Sequence, residues 1–382
     1  MKTIIWFTVL FFSFKIYSQK INIGLYAENK VKKINLLAQS GYYYLFCDTI
    51  LIGRFNSNNL IEIDAGENKL TIQVGNSIHY AKSVSFKPEK YSNYFKIKPT
   101  NPDLKSRNYE GEIQVNITNK NYLKIINTLE INDYLEGVVE CEAGTGQFFE
   151  FYKTQAIISR TFALKNWNKH EKDGFNLCDQ VHCQAYFHKR NSLPNLIDSA
   201  VLLTNNKILI TLDSTFAATN FHANCGGQIS DPEWVWNTKM DGLYSFKDNY
   251  CVNSKQANWT KSIPLTKWSE FFKYTYDAPV NDSSFFYWMT NFNQSQRLTF
   301  FINPVFGIPL RDIREKFNLK STFFSVKLID DQVVITGKGF GHGVGLCQEG
   351  GMNMAKKGFT AEEILNYYFP NARLENLEII HN

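Results

Sequence analysis

The sequence predicts an α+β protein, in which a larger mixed, β-sheet-rich domain with a few helices follows a small β-rich domain. Three observations predict it. Short runs of aromatic and branched residues, separated by turn clusters, fill the chain from Lys20 to about Thr100. One strictly alternating strand and one long helical period come next. Beyond them, helices and strands do not alternate regularly, which disfavours a doubly wound parallel sheet. At 382 residues the chain is long enough for two or three domains with substantial cores. The expected division is a leader over 1–18, an accessory domain over 19–104 and a main domain over 105–382.

In the first domain the strands are Tyr42–Phe46, Thr49–Ile52 and Lys69–Val74, parted by Asn56-Ser57-Asn58-Asn59 and Ala65-Gly66-Glu67-Asn68. The polar stretch Pro99–Asp103 marks the expected boundary. Glu112–Thr118 then alternates as a half-buried strand should. Phe149, Tyr152, Ala156, Ser159, Ala163 and Trp167 recur at steps of three and four, predicting a helix with one small-residue stripe open to close approach. Lys207–Leu212 and Thr215–Thr219 read as strands. Ser325–Leu328 and Gln332–Thr336 read as a hairpin turning through Ile329-Asp330-Asp331. Thr360 and Glu363 form a capping box, Phe359 and Ile364 stand where a hydrophobic staple would, and Pro370 stops the helix.

Composition excludes several classes. Apolar residues make up 44% and charged residues 20%, so disordered, collagen-like and coiled-coil readings fail. The net charge is +5, and two of those positives, Lys2 and Lys15, fall in the leader. So small an excess is no footprint for nucleic acid. The leader itself has a basic start, an apolar run over Ile4–Phe14 and a small residue at Ser18. That pattern is a secretory signal peptide, and the run is too short for a bilayer core of about 30 Å. The expectation is cleavage near Ser18/Gln19, with a mature protein secreted to the cell envelope and carrying no membrane span. The 7 cysteines are then in a compartment that permits disulfides. An odd number leaves at least one thiol unpaired or on a metal.

Chemistry concentrates in four stretches. In Asp133–Gly146, carboxylates stand beside an apolar run. A carboxyl at the edge of a packed face loses water, which raises its pKa and suits it to general acid work. Glu140 and Glu142 are the candidates, although both also fit solvated charges at a helix start. Cys178, His182 and Cys183, with His170 nearby, either hold zinc or include a Cys178–Cys183 disulfide. Gln184 and Tyr186, which follow, are side chains of the kind that hold sugar hydroxyls. In Phe221–Gly227, His222 precedes paired Gly226 and Gly227, which permit close backbone approach to a ligand. Cys225 there is also placed to pair with Cys251. In Gly337–Gln348, closely spaced glycines surround His342, without a phosphate-loop or dinucleotide signature.

Taken in order, these motifs resemble the SpoIID/LytB family of sporulation stage II protein D lytic transglycosylases and amidase enhancers. The residues carrying the resemblance are Asn108–Gly111, Ile131–Glu142, Lys153–Ala163, Cys178–Tyr186, His222–Gly227, Arg311 with Ser321-Thr322, Gly339–Gln348 and Ile364–Tyr368. The resemblance implies cleavage of peptidoglycan strands between N-acetylmuramic acid and N-acetylglucosamine, leaving a 1,6-anhydromuramic end. It implies Glu142 as the single acid/base, with Glu140 as second choice or as a like charge raising its pKa. Gln184, Tyr186, His222, Gly226, Gly227, His342 and Gln348 would bind substrate. A structural zinc would sit on Cys178, His182, Cys183 and His170. The chain departs from the family where Ala143-Gly144-Thr145-Gly146 follows the acid in place of Met-Pro. A non-catalytic, glycan-binding enhancer of a cell-wall amidase is the alternative.

Overall fold

The computed structural model describes residues 19–189 and 196–377. The expected signal peptide, residues 1–18, lies outside them. The architecture is α+β, and among the described residues twelve strands precede the helix Ile131–Ala143. The chain divides into two compact units between Tyr134 and Leu135.

Alternating patterns build the first unit. Lys33–Ala38 and Tyr43–Cys47 bury every second residue, as a sheet with one covered face requires. Its strands form two antiparallel sheets. One includes Lys20–Leu25, Leu123–Glu130, Glu112–Ile117, Ser83–Pro88, Tyr43–Cys47 and Ile50–Phe55, in that spatial order. The other runs Arg107–Glu110, Tyr94–Asn101, Lys33–Ala38, Ile61–Ala65, Leu70–Val74 and Ser77–Ala81. Aromatic side chains join their faces. Tyr43 stacks on Phe86 at 4.4 Å, and it meets Phe95 of the other sheet edge-on at 5.8 Å.

The boundary expected at 104/105 falls inside a hairpin of this second sheet. Tyr94–Asn101 pairs antiparallel with Arg107–Glu110, so the polar stretch Pro99–Asp103 includes a strand end and a turn. Polarity there reflects the turn's exposure, a local property that a linker shares.

In the second unit the predicted helix spans Phe149–Lys165. Its stripe is buried at Tyr152, Ala156, Ser159 and Ala163, but Gln155, Ile158, Arg160 and Thr161 are buried too. The helix is therefore enclosed on most sides, and polar residues inside it need partners. Arg160 donates to the carbonyls of Thr204 at 2.7 Å and Val201 at 3.1 Å, satisfying the C-terminal end of the helix Leu196–Leu203.

Lys207–Thr211 is a strand, whereas Thr215–Thr219 is not. The segment turns at Asp213 and Ser214 and makes one bridge, Phe216 to Ile210, so its branched residues line a tight return. The predicted hairpin forms between Phe324–Ile329 and Gln332–Lys338, with Asp330 at φ 53° in its two-residue turn. Asn258–Pro264 pairs on the other side of Gln332–Lys338. Trp268, Phe271, Phe272, Phe285, Phe292 and Phe301 pack a core on this sheet. The helix Ala361–Tyr368 carries the complete capping box. Among the described residues no helix is long and apolar enough to cross a membrane.

Candidate active site

Glu142 lies in the last turn of the helix Ile131–Ala143. Its carboxylate Oε1 accepts the backbone N–H of Ala185 at 2.7 Å. Burial raises the acid above the ordinary carboxyl range, and the Ala185 N–H offsets part of that rise by stabilising the anion. The expected push from Glu140 is not what raises it. Glu140 is buried at 8% exposure, with its Oε2 3.7 Å from Nδ1 of His188.

The chain after Cys183 runs along this helix. Tyr186 is fully buried, and a Cβ on Gly137 would lie 2.6 Å from its ring, so the missing side chain is what admits it. Phe187 N–H faces Sγ of Cys141 at 3.5 Å. Gln184 is fully buried as well. In this conformation both predicted sugar-binding side chains support the site from behind.

From the opposite direction, Gln348 donates to the carbonyl of Glu142 at 3.1 Å and faces Oε1 of Gln155 at 3.4 Å. Gln348 opens the helix Gln348–Lys356 immediately after a two-residue strand, Leu346–Cys347. That strand pairs in parallel with Phe221–His222, placing His222 opposite Cys347. Glu142, Gln348 and His222 thus belong to one connected framework.

His222 donates Nδ1–H to the Val344 carbonyl at 3.1 Å, because a carbonyl can only accept. Its Nε2 is buried with no hydrogen-bond partner among the described residues. Burial holds this imidazole well below its ordinary range, with His342 and Arg297 pushing the same way. His342 lies 5.5 Å from it, ring to ring, and 5.0 Å from Trp236. His342 Nδ1 accepts the Val344 N–H at 3.0 Å, and burial pushes its pKa down to about 4. Both rings are neutral near pH 7.

The glycine-rich run is a packing seam. A Cβ on Gly341 would lie 2.8 Å from Cβ of His222, and one on Gly345 would lie 2.1 Å from the Asn220 carbonyl oxygen. Both residues have positive φ, at 109° and 72°. The run therefore presses directly on the strand that carries His222. Gly226 and Gly227 also have positive φ, and Gly226 abuts Lys338 and Gly339.

Sequence reasoning missed Arg297. It is 2% exposed and donates to the carbonyls of Cys225 at 2.7 Å and Gln228 at 2.8 Å, holding the loop after His222. Nothing local distinguishes it from a surface arginine. Asp248 and Trp236 were missed for the same reason.

The four predicted metal ligands converge. Donor atoms of His170, Cys178, His182 and Cys183 all lie within 4.8 Å of one another. Cys178 Sγ is 3.3 Å from Nε2 of His182, and Cys183 Sγ is 3.4 Å from Nε2 of His170. Asp173 holds Nδ1 of His170 at 3.0 Å, the outer carboxylate that zinc-binding histidines commonly use. Two sulfurs and two imidazoles suit zinc in a closed, structural site. Cys183 stands two residues before Ala185, so this cluster bears on the N–H that Glu142 accepts.

The family model described as SpoIID, Stage II sporulation protein, matches residues 119–210. That range includes Glu142, the four-ligand cluster and Ala185. An uncharacterized protein of Brachyspira hyodysenteriae is 28% identical over 64% of this chain and 66% of its own length. The Stage II sporulation protein D of Bacillus subtilis is 26% identical over 67% of this chain and 78% of its own. The amidase enhancer of the same organism is 26% identical over 74% of this chain and 47% of its own. The chain thus spans just under two thirds of the first relative and under half of the enhancer.

Proposed function

We propose that the chain is a secreted peptidoglycan lytic transglycosylase of the SpoIID/LytB family with Glu142 as its one acid/base, a reading supported by its match to the SpoIID family model over residues 119–210 and its similarity to the Stage II sporulation protein D and amidase enhancer of Bacillus subtilis. The observation that carries this is the Glu142 carboxyl itself, raised by burial yet held by the Ala185 N–H. Such a group keeps its proton to higher pH than an ordinary carboxyl and remains oriented once it is an anion. A glycosidase that uses water generally needs a second carboxylate. A lytic transglycosylase uses the sugar's 6-hydroxyl instead. Glu142 protonates the leaving glycosidic oxygen, and the carboxylate so formed takes the 6-hydroxyl proton as that oxygen closes on C1. The proton count balances with one residue.

In this proposal Gln348 fixes the helix end that bears the acid, and His222, whose Nε2 is buried, backs the wall of the site rather than touching sugar. His342, Gly226 and Gly227 shape the wall around it. Zinc, when bound to His170, Cys178, His182 and Cys183, would supply a rigid four-ligand crosslink. Its place is structural, behind Ala185.

A second reading is favoured by one feature. The loop Ala143-Gly144-Thr145-Gly146 departs from Met-Pro, and its two glycines have nothing within 4 Å of an added Cβ. A loop so open suits a glycan-binding enhancer of a cell-wall amidase.

Mass spectrometry of soluble products separates the two readings. The mature protein and Glu142→Gln would each be incubated with intact peptidoglycan and with strands stripped of stem peptides. Anhydromuramic products from wild type alone are expected, and the productive preparation identifies the substrate. Equal product from Glu142→Gln would overturn the assignment of Glu142. No product from either preparation favours the enhancer.

A further inference from the structure

Three cysteines far apart in sequence, Cys225, Cys251 and Cys347, meet at one point with Asp248. All four side chains are at 0% exposure. Sγ of Cys225 lies 3.2 Å from Sγ of Cys251 and 3.3 Å from Oδ2 of Asp248. Sγ of Cys347 faces the Cys225 N–H at 3.3 Å. The four donor atoms all lie within 4.8 Å of one another.

Such a cluster needs a chemical reason. A carboxylate enclosed with three thiols has lost its water and has no salt-bridge partner among the described residues, which is costly unless something neutralises it. A disulfide does not resolve this. One bond, at about 2.05 Å between sulfurs, would consume two cysteines and leave the third thiol sealed against the Asp248 carboxylate. A soft divalent cation resolves it with all four groups. Tetrahedral zinc with Zn–S of about 2.3 Å places its sulfurs about 3.8 Å apart, which falls between the 3.2 Å from Cys225 to Cys251 and the 4.8 Å that bounds the whole donor set.

The surroundings are built for a ligand carboxylate. Tyr368 donates its hydroxyl to Oδ2 of Asp248 at 3.0 Å, and the Tyr250 N–H donates to Oδ1 at 2.9 Å. These are the outer contacts that orient a metal-bound carboxylate. Gly350 makes the room, since a Cβ there would fall 2.1 Å from the Tyr368 hydroxyl and 2.9 Å from Asp248 Oδ2.

We propose that Cys225, Asp248, Cys251 and Cys347 form a second zinc site, separate from the His170 cluster and structural in role. Four protein ligands leave no open position, so the ion does no chemistry of its own. Its place explains its use. Cys225 ends the segment that begins at His222, and Cys347 precedes Gln348. The ion ties both strands of the parallel pair to the loop that contains Asp248 and Cys251.

The test is metal analysis and cobalt(II) reconstitution of the full chain as isolated, beside Cys225→Ser/Cys251→Ser and Cys178→Ser/Cys183→Ser. The first double variant is expected to lose one equivalent of zinc while the second retains the equivalent that the first lost. Thiolate-to-cobalt absorption of the wild type should correspond to three sulfurs from this site, or to five if the His170 cluster fills as well. Zinc content unchanged in Cys225→Ser/Cys251→Ser would overturn the proposal. So would a wild-type cobalt spectrum with two thiolates or none, or a Cys225–Cys251 disulfide in the isolated protein. The cobalt spectrum and the thiol count use wild type only, so they decide the matter even if the variants do not fold.

Discussion

The Ala185 N–H reaches Oε1 of Glu142 at 2.7 Å, and Ala185 lies only two residues beyond Cys183. An acid on a helix end and a Cys/His cluster able to hold a metal are therefore linked through one short loop segment. The loop determines whether that N–H is in place, and the N–H limits how far burial raises the acid.

Glu142→Gln should reduce product formation by about 10²–10⁴-fold, the usual share of a general acid. Wild-type activity should fall as pH rises through the raised pKa, because the leaving group then lacks its proton. Stability gives an independent check of sign. The folded pKa is raised above the unfolded value, so the wild type is least penalised below the unfolded pKa and loses stability as pH rises through the folded one. Urea midpoints should thus favour Glu142→Gln increasingly from acid to neutral pH. A gap independent of pH would show that this carboxyl is not raised.

Cys183→Ser should lower zinc content and loosen the path to Ala185. Without that N–H the anion of Glu142 is less stabilised, so its pKa rises further. The alkaline limb of the pH–rate profile should move upward as well as the rate falling. A slower enzyme with an unmoved limb would mean that the cluster does not act through Ala185.

His342 titrates in the opposite sense. Its folded pKa is about 4, below the ordinary imidazole value of about 6.5, so the unfolded chain takes up the proton first. The stability it contributes is present above the unfolded value and is lost as pH falls toward about 4. His342→Asn should flatten part of this acid-side decline, read as denaturant midpoints over that range. An identical decline in wild type and variant would count against a buried neutral imidazole.

Gly345→Ala and Gly358→Ala separate crowding from backbone strain. Both residues have positive φ, at 72° and 90°, but a Cβ at 345 meets the Asn220 oxygen at 2.1 Å while at 358 it meets nothing within 4 Å. Gly358→Ala should cost about 1–2 kcal/mol from the left-handed backbone alone. Gly345→Ala should cost a further 1–3 kcal/mol or so from overpacking and should disturb the strand that carries His222. Equal denaturation midpoints would remove the packing-seam interpretation of the glycine run.

Whatever depends on near neighbours could be read from the chain alone. Alternation at Glu112–Ile117, the hairpin turn at Asp330-Asp331 and the capping box of Thr360 and Glu363 were all legible, because each rests on residues a few positions apart. The candidate acid was legible in the same way, as a carboxylate beside an apolar run. Locality also misled. Branched residues at Thr215–Thr219 suggested a strand where the chain only turns back, and polarity at Pro99–Asp103 suggested a linker where a hairpin turns.

Tertiary structure decided the rest. Gln348 meets the Glu142 carbonyl across 206 positions, and Arg297 reaches the Cys225 carbonyl across 72. Cys347 joins Cys225 and Cys251 only because Phe221–His222 runs parallel to Leu346–Cys347. Local propensity contains no term for such meetings. They arise when distant segments bury one another, and a buried carbonyl, guanidinium or thiol must then find its partner wherever the fold has placed one.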